Sequence, residues 1–502
     1  MSNKEKFNAQ IRPLKGCDTM RDMVLVLNFD DASSRAITRK LRSERILCKI
    51  LPGDASLEEI KEQSPMGLLL AGGVKGETPV GLDGRLLESG IPLLALGDAA
   101  ALVLTALGGA AGGPALQNAV ARLEYQACPL LSGLEDGERM LPCAREMQLP
   151  AAATAICRAG ETVIGFSSDV LPLYAMQFEV EQNDPEGCRM LRNFAQDICG
   201  CTTWWDDDAF VARAVEEIGR VVGEGTAVCA MTGGLDSGVS ALLAFRALGA
   251  RLKCIFVDTG LLRENEGDRF MAFYGDKLGL NITRIYAQER FMQALRGVTD
   301  AGEKRRLVGQ TMQQILDEET AKLGAFDAVI RGTSYNDIMF GQGDRRARLL
   351  GGGTVIEPVR ELFKDEIRRV GDYLGIPQDL LSRQPFPGSG LALRILGEVT
   401  LERLQTLRAV DAIFREEVLR AGAQKRLWQY FAVLCPMPGD EKGAVICLRA
   451  VHASERSLAY AARLPYDVME TVVERAMRQR PEVRRIVYDL TPSSNYAGIE
   501  WQ

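Results

Sequence analysis

The sequence predicts an α/β protein made of a parallel-sheet domain, a second, doubly wound α/β domain and a small α+β domain. Three observations predict it. Between residues 21 and 200, short apolar runs alternate with helical stretches, the pattern of a parallel sheet covered on both faces. The alternation restarts near Trp204. After Gly397 the strands alternate apolar and polar residues, as an open antiparallel sheet does. The expected boundaries are a polar leader over 1–20 and domains over 21–201, 202–396 and 397–502.

The elements follow in order. MVLVLNF (23–29) reads as a strand, and a helix runs on to Leu41. ILCKILP, GLLLAGG and PLLALG are three further strands. The stretch from Ile91 to Gly113 is apolar enough to raise the question of a membrane span. Asp98, five glycines and Pro92 point instead to a buried strand, a turn and a small-residue helix. TVIGFSS (162–168) and LYAMQFEVE (173–181) form a hairpin, and GCRMLRNFAQDICG is a helix ending at Gly200. In the second domain a helix over 208–223 leads to strand TAVCAM (226–231), the loop TGGLDSG and helix VSALLAFRALG. LKCIFVD (252–258) is the next strand, and a long helical block precedes AFDAVIRGT (325–333). The last domain reads as helix 401–421, strands WQYFAVLCP and AVICLRAV, helix 465–479 and strand RRIVYDLT.

Composition narrows the function. The 502 residues are 46% hydrophobic and 25% charged, which excludes a disordered chain, a fibre and a coiled coil. Sixty basic against 67 acidic side chains leave a charge of −7, so no general nucleic-acid binding is expected. There is one histidine, His452, and any catalytic triad or multi-histidine metal site must use it. With no carboxylate or cysteine motif beside it, His452 reads as a surface or interface residue. The twelve cysteines contain no CxxC pair and read as reduced thiols. The N-terminus shows no apolar secretory core, and a soluble, cytoplasmic protein without membrane association is expected. Lys304-Arg305-Arg306 reads as a solvated helix face.

The chemistry concentrates in Thr232-Gly233-Gly234-Leu235-Asp236-Ser237-Gly238, between a buried strand and a helix start. Glycines let backbone N–H groups approach an anion, and the helix N-terminus adds partial positive charge. The hydroxyls of Thr232 and Ser237 can donate to phosphate oxygens. The loop lacks the lysine of a Walker A motif. An Asp inside a phosphate cradle suggests a Mg²⁺ shared with the phosphates. A plain strand–turn–helix with a capping Ser or Asp remains the alternative.

The loop resembles the SGGxDS pyrophosphate loop of the N-type ATP pyrophosphatases. CIFVDTGLLRENEGD (254–268), ERFMQALRGVTDAGEKRRLVG (289–309), RGTSYNDI (331–338), IEPVRELFKDEIRRVGDYLGIP (356–377) and PFPGSGLALRILGEVT (385–400) extend the match. LRAV (448–451), ARLPYD (462–467), RIVYDLT (485–491) and the terminal IEWQ complete it. In this order the chain resembles the GMP synthase family over nearly its whole length. The resemblance implies a class I glutamine amidotransferase-like first domain, an ATP pyrophosphatase second domain and a C-terminal dimerisation domain, hence a homodimer. It implies adenylation by ATP of the C2 oxygen of xanthosine monophosphate, a purine-like substrate, and displacement of AMP by ammonia. By the same resemblance, Thr232 through Gly238 hold the β- and γ-phosphates, and Phe256 and Val257 line the adenine pocket. Asp236 is the Mg²⁺ partner and acts with Asp337, Lys364 and Asp365, while Arg394, Gln429 and Glu500 contact the substrate.

The chain departs from the family pattern most sharply in the first domain. Gly97 stands where the family's nucleophile elbow has Cys, Glu179 replaces the catalytic His, and only Glu181 remains of the triad. A thioester mechanism needs the thiolate and a base, and losing a triad nucleophile costs on the order of 10⁶-fold. Ala71-Gly72-Gly73-Val74 keeps the oxyanion glycines. An ammonia-dependent enzyme with an inactive glutaminase half is therefore expected. In the second domain Thr232 keeps a hydroxyl, but Gly238 replaces a second Ser. The segment between Asp337 and Glu357 has no His or Lys, only Arg345, Arg346 and Arg348, and Gln384 replaces a His. SSNYAG (493–498) replaces a Lys-Pro-Pro-Ala-Thr stretch. ATP activation is thus better specified than the acceptor. Two other readings stay open: an adenylating relative with a different carbonyl acceptor or a sulfur nucleophile, and a catalytically silent binding relative. Cys229 and Cys254, the cysteines beside the loop, read as core residues.

Overall fold

The computed structural model describes residues 22–29, 31–72, 84–178, 180, 184–201, 206–339, 353–384, 386–437, 439–453 and 459–492. The chain divides into two compact units, Leu14–Ala212 and Arg213–Gln502.

The first unit is built on a nine-stranded sheet of β1 (Val24–Asn28), β2 (Cys48–Pro52), β3 (Gly67–Ala71), β4 (Leu93–Leu96), β5 (Ala110–Tyr125), β6 (Gly137–Gln148), β7 (Ala153–Ala159), β8 (Thr162–Ser168) and β9 (Leu173–Met176), in the order β2-β1-β3-β4-β9-β8-β7-β5-β6. Strands β1 to β4 and β9 pair in parallel. Their unbroken apolar sequences are explained by burial on both faces. Val24, Val26, Leu69, Leu94 and Leu96 enter one core cluster, and Leu25, Leu27, Leu68, Leu70 and Leu93 enter the other. The hairpin over 162–181 is present as antiparallel β8 and β9, though β9 ends at Met176. Ile91 to Gly113 holds β4, a turn at Gly97 and helix α1 (Ala99–Ala106), as expected. No helix among the described residues is long and apolar enough to cross a membrane. The long hairpin β5–β6 was not legible, because most of its side chains are exposed and no buried alternation marks it.

In the second unit β10 (Ala227–Met231), β11 (Leu252–Asp258), β12 (Ile282–Tyr286), β13 (Ala328–Ile330) and β14 (Thr354–Ile356) form a wholly parallel sheet, ordered β12-β11-β10-β13-β14. Helix α2 (Leu235–Leu248) follows β10, helix α3 (Ala301–Leu323) precedes β13, and helix α4 (Lys364–Tyr373) follows β14. Helix α5 (Leu401–Arg420) leads to a further sheet of β15 (Gln429–Met437), β16 (Asp440–Ala453), β17 (Ala459–Ala461) and β18 (Val483–Tyr488). The expected open antiparallel sheet needs correction. β16 pairs antiparallel with β15 and β17 but parallel with β18. The helix Tyr466–Gln479 is the crossover connection that a parallel neighbour requires. One core cluster spans both sheets and α5, joining Val228, Ile255 and Val329 to Leu407, Phe414, Leu434 and Ile446.

The expected solvated face at 304–306 also needs correction. Lys304 is fully buried, and its Nζ donates to the carbonyl oxygens of Ile395 and Gly397, both at 2.6 Å. Lys304, Val308 and Ile315 share the inward face of α3, whereas Arg305 and Arg306 are exposed. His452 is exposed on β16, its ring 6.3 Å from that of Tyr460.

Candidate functional site

The loop 232–238 leaves the C-terminal end of β10, the central strand of its sheet, where ligands bind in open α/β folds. Gly233 adopts φ +74°, a left-handed conformation that favours glycine. Gly234 is the N-cap of α2 and offers no side-chain cap, so no side chain competes for the first-turn amides. Close approach is built in from a second side as well. A Cβ on Gly332 would lie 2.5 Å from the Ser237 amide nitrogen. The Ser237 hydroxyl is used within the loop, donating to the Gly234 carbonyl at 3.0 Å and accepting from the Thr232 amide at 3.3 Å. These bonds shape the loop. Asp236, in the first turn of α2, forms an ion pair with Lys364 at the start of α4.

Arg383 joins the loop to a neighbouring cleft. It donates to the Gly233 carbonyl and pairs with Glu266 at 2.6 Å. The cleft measures about 530 Å³ with its open mouth, and Gly233, Phe256, Arg263, Phe270, Arg383 and Arg415 are among its lining residues. Phe256 and Phe270 stack there at 4.7 Å. Val257, the next residue on β11, turns its side chain into the core instead, so of the two expected adenine-pocket side chains only Phe256 reaches the cleft.

Behind the cleft lies a group of buried cations. Arg263 and Arg394 are 4% and 0% exposed. None of their guanidinium nitrogens makes a hydrogen bond, and both amide atoms of fully buried Gln429 are also unpaired. Among the described residues one carboxylate, Asp411, is ion-paired with both arginines, 3.7 Å from each. Aromatic faces provide partial compensation: Arg263 lies over Phe386 at 4.2 Å and Arg394 over Phe431 at 4.2 Å. Burial lowers the pKa of both guanidinium groups below the ordinary arginine value, and the neighbouring Arg415 adds to it. Two buried cations sharing one carboxylate, with six nitrogens that make no hydrogen bond, suit an anion better than an apolar ligand. Arg394 and Gln429 were expected at the site. Arg263, Arg383, Arg415 and Asp411 were not, although Arg263 follows the C-terminal end of β11, a position that marks ligand contact in such sheets.

The remaining residues divide. Asp337 accepts from the amide and hydroxyl of Ser334 at 2.9 and 2.8 Å, capping the short helix Tyr335–Met339. Asp365 lies in the first turn of α4, next to Lys364. Glu500, Arg345, Arg346, Arg348 and SSNYAG (493–498) lie outside the described residues. No group of three or more His, Cys, Asp or Glu among the described residues could hold a metal ion. A cation at Asp236 would therefore draw its other ligands from a bound polyphosphate, which a single carboxylate at the mouth of an amide cradle suits.

In the first unit, Gly97 sits on a strand-to-helix turn with φ +68°. Its amide donates to the Met176 carbonyl at 2.9 Å, and the Ala99 amide donates to the Gly72 carbonyl at 3.0 Å. The elbow geometry is present with no side chain on it. Gln177 is locked by three hydrogen bonds, to the Arg145 amide, the Arg145 carbonyl and the Val163 carbonyl. Glu179, Glu181, Gly73 and Val74 lie outside the described residues.

A sequence model described as the GMP synthase C terminal domain matches residues 416–501. The glutamine-hydrolyzing GMP synthase of Clostridium tetani (strain Massachusetts / E88) is 36% identical over 515 residues, covering 96% of this chain and 100% of that one. That of Clostridium perfringens (strain 13 / Type A) is 37% identical over 514 residues, with the same coverage. Among solved structures, a glutamine amidotransferase from Thermotoga maritima covers 36% of this chain and 99% of its own at 14% identity and a TM-score of 0.30, too slight a likeness to argue from. Identity at this level along nearly the whole length of both chains leaves one conclusion: the chain belongs to the GMP synthase family.

Proposed function

We propose that this chain is an ATP-dependent ligase that aminates the C2 carbonyl of xanthosine monophosphate or a close purine-like acceptor. It takes up ammonia directly, because its first unit does not hydrolyse glutamine. The observation that carries the reading is one arrangement in the second unit. An amide cradle at a helix start opens beside a cleft backed by buried arginines whose guanidinium nitrogens make no hydrogen bond and share one carboxylate. A triphosphate and a nucleotide monophosphate are the two anions that such a pair of sites suits.

The chemistry follows from the leaving groups. A carbonyl oxygen leaves poorly, so the acceptor oxygen attacks the α-phosphorus of ATP and pyrophosphate departs. The α2 amides meet the charge that develops on pyrophosphate. The ammonia lone pair then attacks C2, the C–O bond breaks, AMP leaves and the nitrogen gives up a proton. Bound Mg²⁺, held by Asp236 and phosphate oxygens, would supply charge neutralisation. Lys364, released from Asp236, would then turn its ammonium toward the polyphosphate. Phe256 offers the adenine a flat apolar wall. The bare elbow at Gly97 supports the ammonia-dependent part, since no thiolate can form there. A sulfur route is disfavoured by the hydrogen bond between Cys254 and Cys229 and by burial, which hold the Cys254 thiol protonated. By the same family reading the chain is a homodimer joined through its C-terminal sheet.

The test is pyrophosphate release with ATP, Mg²⁺ and xanthosine monophosphate, supplied either with ammonium or with glutamine. Turnover with ammonium alone is the expected result. Turnover with glutamine would refute the inactive first unit. Turnover only with another acceptor would refute the substrate, and no ATP binding at all would refute the ligase.

A further inference from the structure

Arg415 lines the cleft, and nothing in the chain uses its charge. Its Nε is shut off from water, and the side chain makes no hydrogen bond, ion pair or ring contact among the described residues. The spacing of four residues on α5 puts Arg415 one turn from Asp411, on the same face of the helix. Asp411 nevertheless pairs with Arg263 and Arg394, each at 3.7 Å, and not with Arg415.

The neighbours make that unused charge costly. Arg263, Arg383, Arg394 and Arg415 stand with two carboxylates, Asp411 and Glu266, and Glu266 lies 2.6 Å from Arg383 and 4.0 Å from Arg263. Four positive and two negative charges leave the group at +2. Burial pulls Arg263 down to about 9 and Arg394 to about 10, and the like charge of Arg415 adds to each. Both values still leave the groups protonated at neutral pH. Arg269, Glu264 and Asp379 at the rim are exposed, where water and salt screen them. A buried excess of positive charge is unfavourable unless an anion joins it. The count also selects the anion. A phosphate monoester is close to a dianion at neutral pH and matches +2, whereas a carboxylate or a neutral base leaves charge uncompensated. A guanidinium fork also fits paired phosphate oxygens.

We infer that Arg415 is a specificity-determining residue, the third cation, with Arg263 and Arg394, of a site that takes the phosphate monoester of the acceptor nucleotide. This rests on the reading of the cleft as the acceptor site, and it adds a requirement. The acceptor is a nucleotide rather than a free base or nucleoside, and Arg415 is a residue that tells them apart. Position 415 lies outside every segment on which the family resemblance rests, so no motif marked it.

The experiment is calorimetric titration of the full chain and its Arg415→Met and Arg415→Lys variants with xanthosine monophosphate, xanthosine and Mg²⁺–ATP. Arg415→Met should lower affinity for the monophosphate about tenfold or more, the effect of one charge-assisted hydrogen bond, and leave xanthosine and ATP binding unchanged. Arg415→Lys should restore part of the loss, because the charge returns without the fork. A packing role would move stability instead. The unliganded methionine variant should melt no lower than the parent, since it loses a charge that only repels its neighbours. Equal losses for xanthosine and its monophosphate, a loss for ATP, or full affinity in Arg415→Met would overturn the proposal. Inorganic phosphate, used alone as a probe, separates the proposal from the choice of acceptor. It should raise the melting temperature of the parent more than that of Arg415→Met. An equal rise in both would overturn the phosphate site. A larger rise in a parent that does not bind xanthosine monophosphate would uphold the site and overturn that acceptor.

Discussion

Asp236 and Lys364 come from helices 128 residues apart and meet at the mouth of the cradle. The ammonium satisfies the carboxylate, so on the proposed function a metal and a polyphosphate would have to separate two partners that hold each other. The two residues should therefore behave as a coupled pair. Asp236→Asn should lower pyrophosphate release by about 100-fold or more, the scale of losing one charge-stabilising group in a preorganised site. Lys364→Met should act in the same direction, and the double variant should be little worse than Asp236→Asn alone. Steady-state pyrophosphate release by the three variants measures this, and fully additive losses would show the contact to be incidental. Both residues were legible because each sits in a short contiguous motif. The arginine group was only half legible: Arg263, Arg394 and the α5 residues Asp411 and Arg415 lie on three separate segments that only tertiary packing assembles.

Helix α3 shows how an element can carry a charge into the core and use it. Lys304 ends its stem between two carbonyl groups of the segment that joins the cleft to α5. Lys304→Met should leave both carbonyls unpaired and cost about 2–4 kcal/mol, read as a lower urea midpoint with an unchanged slope. The lysine should also mark the pH profile. Burial, with Arg403 adding to it, pulls its ammonium from the ordinary 10.5 down to about 8. Between those two values the unfolded chain binds the proton more readily than the folded one. Stability should thus rise with pH through that window, and the rise should flatten in the methionine variant. A basic triplet in a helical run gives no sequence signal of which member faces inward. The parallel strands were legible because burial on both faces leaves unbroken apolar runs. β5 and β6 were not, since their exposed side chains carry no such record, and the parallel pairing of β18 depends on a crossover rather than on strand composition.

At the scale of the molecule, two compact units each have their own core, and the proposed function assigns the ligand chemistry to one of them. The unit Arg213–Gln502 buries two arginines that share one carboxylate and make no hydrogen bond, a cost that an anion in the cleft would offset. Ligand should therefore stabilise this unit and leave the other unaffected. At a hundred times its dissociation constant a ligand contributes about 2.7 kcal/mol. Hydrogen exchange read by peptide, with and without xanthosine monophosphate, separates the units directly. Protection should rise across β10 to β18 and stay flat across β1 to β9. Glutamine should raise protection nowhere, because the elbow at Gly97 presents no side chain to it. Protection of β4 and α1 by glutamine would mean that the first unit still binds an amino acid after losing the means to cleave it. Protection of β1 to β9 by the nucleotide would mean that the two cores unfold as one.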